Sequence, residues 1–204
     1  MQNHLYTYDI PDDVNLGGSI AIDTETMGLC CHRDRLCLIQ ISTGEGNCYL
    51  VHFPEPDFSK STNLVNALED DSTEKIFHYG RFDLAVLIQS FKINIKNVYC
   101  TKIASKLVRT YTDKHSLKHL CSDLLGVSLD KTEQSSDWGA PTLSPEQLNY
   151  AGSDVVYLHN LKEKLDALLV REGRMELAKA CFEFLPYRAM LDLMVADNFD
   201  IFSH

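Results

Sequence analysis

The sequence predicts an α/β or α+β domain built around a single sheet. Strand-like segments occupy the first hundred residues, and from about residue 102 the chain is almost wholly helical, which is the pattern of one sheet covered by helices. The 204 residues are 45% hydrophobic and 24% charged, enough apolar material for the core of one ordinary domain.

Five segments have strand patterns. The first is a short buried apolar run that follows the Gly17-Gly18 turn, and the next two alternate around the glycine turn at residues 44–46. The predicted strands are Gly18–Asp23, Arg35–Ser42, Asn47–His52, Lys75–His78 and Asn97–Thr101.

Six segments have helical spacing. Ser116 and Ser144 are suitable N-caps, and Pro145 follows the second of them at the first helical position. The predicted helices are Ser61–Glu69, Arg81–Phe91, Lys102–Arg109, Ser116–Leu125, Ser144–Val170 and Met175–Met194.

Bulk properties narrow the class of protein. The first residues lack the pattern of a secretory signal, and no apolar run is long enough for a membrane span. The seven cysteines include no CxxC pair. We therefore expect a reduced, cytoplasmic compartment and no membrane partner. The sequence contains no GxxxxGK[ST] loop, which excludes a P-loop nucleotide-hydrolysing motor. The formal net charge of −10 by itself argues against a protein that grips long nucleic acid.

Two acidic residues at i and i+2 follow the apolar run Ile20-Ala21-Ile22. This spacing directs the carboxylates of Asp23 and Glu25 to one face of the strand, at the end where ligands of open α/β sheets gather. Neighbouring carboxylates repel each other and are costly to desolvate, a problem that a divalent cation removes. If this motif is considered by itself, the alternative to a metal site is a strand end whose acidic side chains point into water.

Three further side chains belong to the candidate site. Asp83 lies near the start of a predicted helix, where the helix dipole alone can explain an acid. Tyr150 and Asp154 are separated by one helical turn and so share a face, which a surface hydrogen bond also explains. Each motif by itself leaves its structural alternative open.

Together these motifs resemble the DEDDy branch of the 3′→5′ exonucleases, within the ribonuclease D family. The resemblance rests on the order DTETxGL, HxxxFDL and YxxxD, and it extends over about residues 15 to 170. It implies a ribonuclease H-like fold, a mixed sheet of about five strands flanked by helices. It also implies phosphodiester hydrolysis from a 3′ end.

The resemblance implies two divalent cations as cofactors, Mg²⁺ or Mn²⁺, since carboxylates without a histidine or cysteine cluster suit hard ions. Asp23 would bridge them, Glu25 and Asp154 would complete one ion, and Asp83 would act largely through bound water. Tyr150 would orient the attacking water, because a phenol with a pKa near 10 is a poor base at neutral pH. The implied substrate contacts are Thr24, Thr26, Gly28, Leu29, His78, Lys131, Gln134 and Trp138.

Leu29 and Trp138 each have an ordinary alternative, as core residues of the domain. A locally basic stretch also has two interpretations, a solvated face or a strip along the path of the substrate phosphates. Its residues are Lys102, Lys106, Arg109, Lys114 and Lys118.

The chain layout resembles one group within the family, the nanoRNase C enzymes. Residues 1–170 would form the catalytic domain and residues 171–204 a C-terminal helix, with no HRDC domain after it. The resemblance implies short single-stranded RNA, including dinucleotides such as pGpG, as substrate and a ring-shaped homo-octamer as assembly. DNA cleavage or tRNA trimming by the same chemistry is the alternative. An inactive nucleic-acid-binding scaffold is a third hypothesis, disfavoured because all four carboxylates are present.

Overall fold

A computed structural model describes residues 2–129, 136–194 and 201, and contains a six-stranded mixed sheet in the order β1-β4-β3-β2-β5-β6. The α/β class is as predicted, with one strand more than expected. The strands are β1 (Gln2–Thr7), β2 (Ser19–Thr26), β3 (Leu36–Ser42), β4 (Asn47–His52), β5 (Glu74–Phe77) and β6 (Val98–Cys100).

The unpredicted strand is β1, at the edge of the sheet. It pairs in parallel with β4, and each of its residues is exposed or half-buried. An edge strand of this kind needs no apolar run, so its sequence lacks the pattern that identifies the buried strands. By contrast, every residue of β3 is buried, because this strand lies between β2 and β4 in the middle of the sheet and helices pack against it.

The helices cover the sheet, and two of the predicted helical segments differ from the structure by more than one residue at an end or in continuity. The helices are α1 (Thr62–Glu69), α2 (Arg81–Phe91), α3 (Thr101–Val108), α4 (Leu117–Leu120), α5 (Pro145–Val155), α6 (Leu158–Arg171) and α7 (Met175–Met194). The segment predicted as one helix from Ser144 to Val170 is broken between α5 and α6, without a proline or glycine at the break to signal it. The helix predicted to continue to Leu125 ends at Leu120 and passes into a π-helical turn.

The arrangement of strands determines where the site forms. β2 runs parallel to β5, and β5 to β6, so the three strands end at the same edge of the sheet. α2 begins directly after β5, with Gly80 as its N-cap. A Cβ atom at Gly80 would lie 2.6 Å from the Cβ of Phe77, so this tight passage from strand to helix requires glycine. None of the helices in the described part of the chain is both long and apolar enough to cross a bilayer.

Candidate active site

Three carboxylates converge at this edge from distant parts of the chain. Asp23 and Glu25 extend from β2, and Asp154 lies on α5. One oxygen from each carboxylate falls within 4.8 Å of the others, and all three side chains are half-buried. We call these residues the acid cluster. The local spacings place Asp23 with Glu25 on β2 and Tyr150 with Asp154 on α5, and the tertiary structure brings these two elements together.

Asp83 stands beside the acid cluster, near the start of α2. Its side chain is 5% exposed, and its Oδ1 accepts a hydrogen bond of 2.7 Å from the Thr24 hydroxyl. Thr24 was predicted as a substrate contact. Its side chain is buried and occupied with orienting Asp83, a role that the sequence did not reveal because the two residues are 59 positions apart.

The acid cluster fits divalent cations. Burial, together with the carboxylates of Asp83, Asp154 and Glu25, raises the pKa of Asp23 well above its usual value. Burial and the neighbouring carboxylates likewise raise the pKa of Glu25 to about 9, and burial raises that of Asp83 to about 7. Carboxylates this close together repel each other when they are ionised, and a bound cation between them offsets that repulsion. Oxygen ligands of this kind are those that Mg²⁺ and Mn²⁺ prefer.

We expect Mg²⁺ to raise the unfolding temperature of this protein, by an amount that grows from about pH 5 to about pH 9. The raised pKa values of Glu25 and Asp83 mean that the metal-free folded state holds protons that the unfolded state releases. Its stability therefore falls as the pH rises through this window. Cation binding needs the deprotonated carboxylates and offsets their repulsion, so its effect increases with pH. Thermal unfolding with and without MgCl₂, at ionic strength matched with NaCl, measures this; a Mg²⁺ effect that does not change with pH would contradict it.

Tyr150 completes the site on the face of α5 that carries Asp154. Its side chain is 8% exposed, and burial, with the adjacent Asp154 carboxylate, raises the pKa of the hydroxyl above its ordinary value. The side chain therefore remains a phenol at neutral pH, which suits a group that orients water rather than one that removes a proton. Trp138 packs against it, with the ring centroids 6.1 Å apart. Since Trp138 is 3% exposed, its burial favours a packing role over direct contact with substrate.

The segment after β2 presents Leu29 to solvent. Leu29 is 90% exposed, which excludes the interpretation as a core leucine. We call residues 27–34 the Leu29 segment. It is held by hydrogen bonds from the Thr26 hydroxyl to the Gly28 carbonyl (2.5 Å) and from the Cys30 amide to Asp34 Oδ2 (3.0 Å). A Cβ atom at Gly28 would lie 2.2 Å from that Asp34 oxygen, so a side chain there would displace the Asp34 carboxylate from its present position.

Of the remaining predicted substrate contacts, His78 is among the described residues and two others are not. His78, half-buried at the end of β5, shares a 2.9 Å hydrogen bond through Nδ1 with the Thr101 hydroxyl. Lys131 and Gln134 lie outside the described residues.

The basic stretch is not one continuous exposed strip. Arg109 is 3% exposed and forms an ion pair with Asp123, so neither interpretation, a solvated face or a strip along the substrate path, holds for this residue. Its guanidinium also donates to the Lys114 carbonyl, which ties the loop after α3 to that helix. Lys102 lies at the same edge of the sheet as the acid cluster, with its Nζ 3.9 Å from the centroid of the exposed Tyr79 ring.

Comparison with known proteins agrees with this geometry. A family model described as 3′-5′ exonuclease matches residues 9–169. The chain is 38% identical to DNA polymerase I of Aquifex aeolicus over 149 residues, which are 72% of this chain and 24% of that protein. It is 31% identical to ribonuclease D of Gluconacetobacter diazotrophicus over 157 residues, 77% of this chain and 39% of that protein. The chain thus spans well under half the length of these curated relatives.

Solved structures of Brucella melitensis NrnC match over the whole chain. The structure with bound Mg²⁺ has a TM-score of 0.95 and 52% identity, and the comparison covers 100% of both chains. The structure bound to pGG has a TM-score of 0.95 and 53% identity, covering 100% of this chain and 99% of that one. The fold is therefore that of the ribonuclease H-like exonucleases. Since the family model matches residues 9–169, the greater part of the sequence, this chain belongs to the 3′-5′ exonuclease family.

Proposed function

We propose that this protein is a metal-dependent 3′→5′ exoribonuclease that hydrolyses short oligoribonucleotides, including dinucleotides, to nucleoside 5′-monophosphates. The observation that carries the proposal is the acid cluster, whose ligand oxygens lie within 4.8 Å of one another beside Asp83 and Tyr150. The similarity to NrnC structures, one with bound Mg²⁺ and one bound to pGG, supports the choice of metal and the short substrate.

The proposed mechanism assigns a role to each side chain of the site. Asp23, Glu25 and Asp154 would hold two divalent cations, with Asp83 contributing from the side where Thr24 orients it. When bound, such cations lower the pKa of water and offset charge on the phosphate and the leaving 3′-oxygen. The Tyr150 hydroxyl, protonated at neutral pH, would orient the attacking water. The carboxylates and the phenol are thus already in place to act on the attacking water and, through the cations, on the leaving 3′-oxygen.

The Leu29 segment and the adjoining end of β2 suit a free 3′ end of nucleic acid. Leu29 provides an apolar surface against which a base can pack, and the backbone at Thr24–Thr26 would meet the terminal hydroxyl. Contacts of this kind bind the end of a nucleic acid without a long basic groove for its phosphates. This agrees with the net charge of −10, because a substrate of a few nucleotides makes few phosphate contacts and depends less on a positive surface.

The test compares 5′-labelled RNA of two to twenty nucleotides with DNA of matching sequence, in Mg²⁺ or Mn²⁺. We expect RNA of two to four nucleotides to be cleaved fastest, at least tenfold faster than the twenty-nucleotide RNA. A preference for DNA, which the similarity to a DNA polymerase I would favour, overturns the choice of substrate but keeps the chemistry. A preference for long or structured RNA would indicate ribonuclease D-like trimming. The absence of cleavage with metal bound would leave the scaffold hypothesis.

We also propose that residues 1–170 act as the catalytic domain and that α7, within residues 171–204, contributes to a cytoplasmic homo-oligomer, for which the resemblance implies a ring of eight. Phe182 and Leu185 of α7 are buried in the domain, but its outer face carries apolar side chains separated by one or two helical turns. They are Leu177, Phe184, Tyr187, Met190 and Met194, all at least 37% exposed. Apolar area of this kind favours a protein partner. A monomer mass by light scattering would reject the assembly.

A further inference from the structure

We propose that Asp192, in the last turn of α7, is a positioning residue that holds the Leu29 segment beside the acid cluster. The inference rests on the proposed function, because it gives the Leu29 segment a role in substrate binding. Four residues form the contact, and we call them the Asp192 cluster: Asp192, Arg81, Arg188 and His32.

The Asp192 carboxylate joins α7 to the start of α2. Arg81, the first residue of α2, donates to both carboxylate oxygens, from Nε at 2.5 Å and from Nη2 at 2.6 Å. Arg188, one turn earlier on α7, donates to the same carboxylate from Nη1 at 2.7 Å. A two-point pairing between guanidinium and carboxylate defines orientation as well as distance. Arg81 is two residues from Asp83, so the contact reaches the helix that carries a proposed metal ligand.

The backbone of the same residue holds the Leu29 segment. His32 Nε2 donates to the Asp192 carbonyl oxygen over 3.1 Å. Turn hydrogen bonds from the Arg33 and Asp34 amides to the Cys30 carbonyl, 3.0 and 2.7 Å long, close the segment on itself. Because this hydrogen-bonded turn is closed and His32 is only three positions from Leu29, fixing His32 also restricts where Leu29 can lie.

The location of Asp192 within α7 explains why its side chain controls this contact. It lies two residues before the last helical residue, Met194, and helix ends fray when nothing holds them. The Asp192 carboxylate is 21% exposed and Arg81 37%, so the pairing is only partly screened by solvent. Without the charged pairing, the last turn of α7 would loosen, and the carbonyl that receives His32 would lose its fixed position.

The first test measures hydrogen exchange in the protein without substrate. In Asp192→Asn we expect the amides of residues 29–34 to exchange about tenfold faster than in the wild type, as expected when a charge-assisted contact is lost. Glu176→Gln is the matched control, since it removes an acid from an exposed i, i+3 ion pair with Lys179 on the same helix. It should leave residues 29–34 unchanged. Because no cleavage is involved, this result does not depend on whether the proposed substrate is correct.

The second test is kinetic. With a ribodinucleotide substrate, Asp192→Asn should raise KM about tenfold and change kcat less than twofold, because the Leu29 segment is assigned to binding. His32→Ala should raise KM similarly, and the double variant should be no worse than either single variant, as for residues that act through one contact. Additive effects of the two substitutions on KM would overturn the proposal. A lower unfolding temperature with unchanged exchange at residues 29–34 would also overturn it, by reducing Asp192 to a structural role.

Discussion

Replacing Asp23 with asparagine is expected to lower kcat/KM by about four orders of magnitude and to stabilise the metal-free protein. Asp23 contributes an oxygen to the acid cluster, within 4.8 Å of those of Glu25 and Asp154. Cations in such a site supply several kcal/mol of charge stabilisation, and about 1.4 kcal/mol corresponds to a factor of ten in rate. Loss of this carboxylate removes one of the ligands that would hold the cations.

The gain in stability follows from the same geometry. Asp23 is half-buried among like charges, and burial together with the carboxylates of Asp83, Asp154 and Glu25 raises its pKa. An amide at this position removes that repulsion, so we expect the free energy of unfolding without metal to increase by about 1 kcal/mol, as at other sites where function opposes stability. The expected increase of the unfolding temperature with Mg²⁺ should then largely disappear.

The matched control is Asp71→Asn, the same substitution at an exposed ion pair with Lys96. It should change neither the rate nor the response to Mg²⁺. Steady-state kinetics and thermal unfolding with and without Mg²⁺ measure both effects. An Asp23→Asn enzyme that retains more than about a tenth of wild-type activity would remove Asp23 from the mechanism, and lower metal-free stability would refute the electrostatic argument.

Replacing Tyr150 with phenylalanine is expected to lower kcat by about two to three orders of magnitude, within the range for a positioned group that assists proton transfer. The substitution removes one oxygen from a buried side chain that packs on Trp138, so the ring contact should persist. None of the four carboxylates changes. The increase of the unfolding temperature with Mg²⁺ should therefore remain close to that of the wild type.

Tyr111→Phe is the control for this variant, since Tyr111 is 81% exposed. It should have wild-type kcat and KM. A Tyr150→Phe enzyme with a near-wild-type rate would show that water is oriented without the phenol. If the response to Mg²⁺ were also lost, the fall in rate would reflect a damaged metal site instead. Single-turnover measurements at saturating Mg²⁺ separate the chemical step from product release.

Local periodicity predicted most of the strands and helices, whereas the carboxylates of the site were identified from the resemblance of three motifs taken together. Strand β4 and helices α2 and α7 begin and end at the predicted residues, since their apolar patterns have clear limits. The break between α5 and α6 carries no proline or glycine, so local periodicity could not reveal it.

The sequence by itself determined which chemical groups are present: the carboxylates, the tyrosine and their spacing on strand and helix are local properties of the chain. Only the tertiary structure decided which partners these groups have. Thr24 orients Asp83 across 59 residues, and Arg81 meets Asp192 across 111. Contacts between residues so far apart depend on the packing of whole elements, for which a single sequence contains no local signal. For the same reason the exposure of Leu29 and the burial of Arg109 became known only from the folded chain.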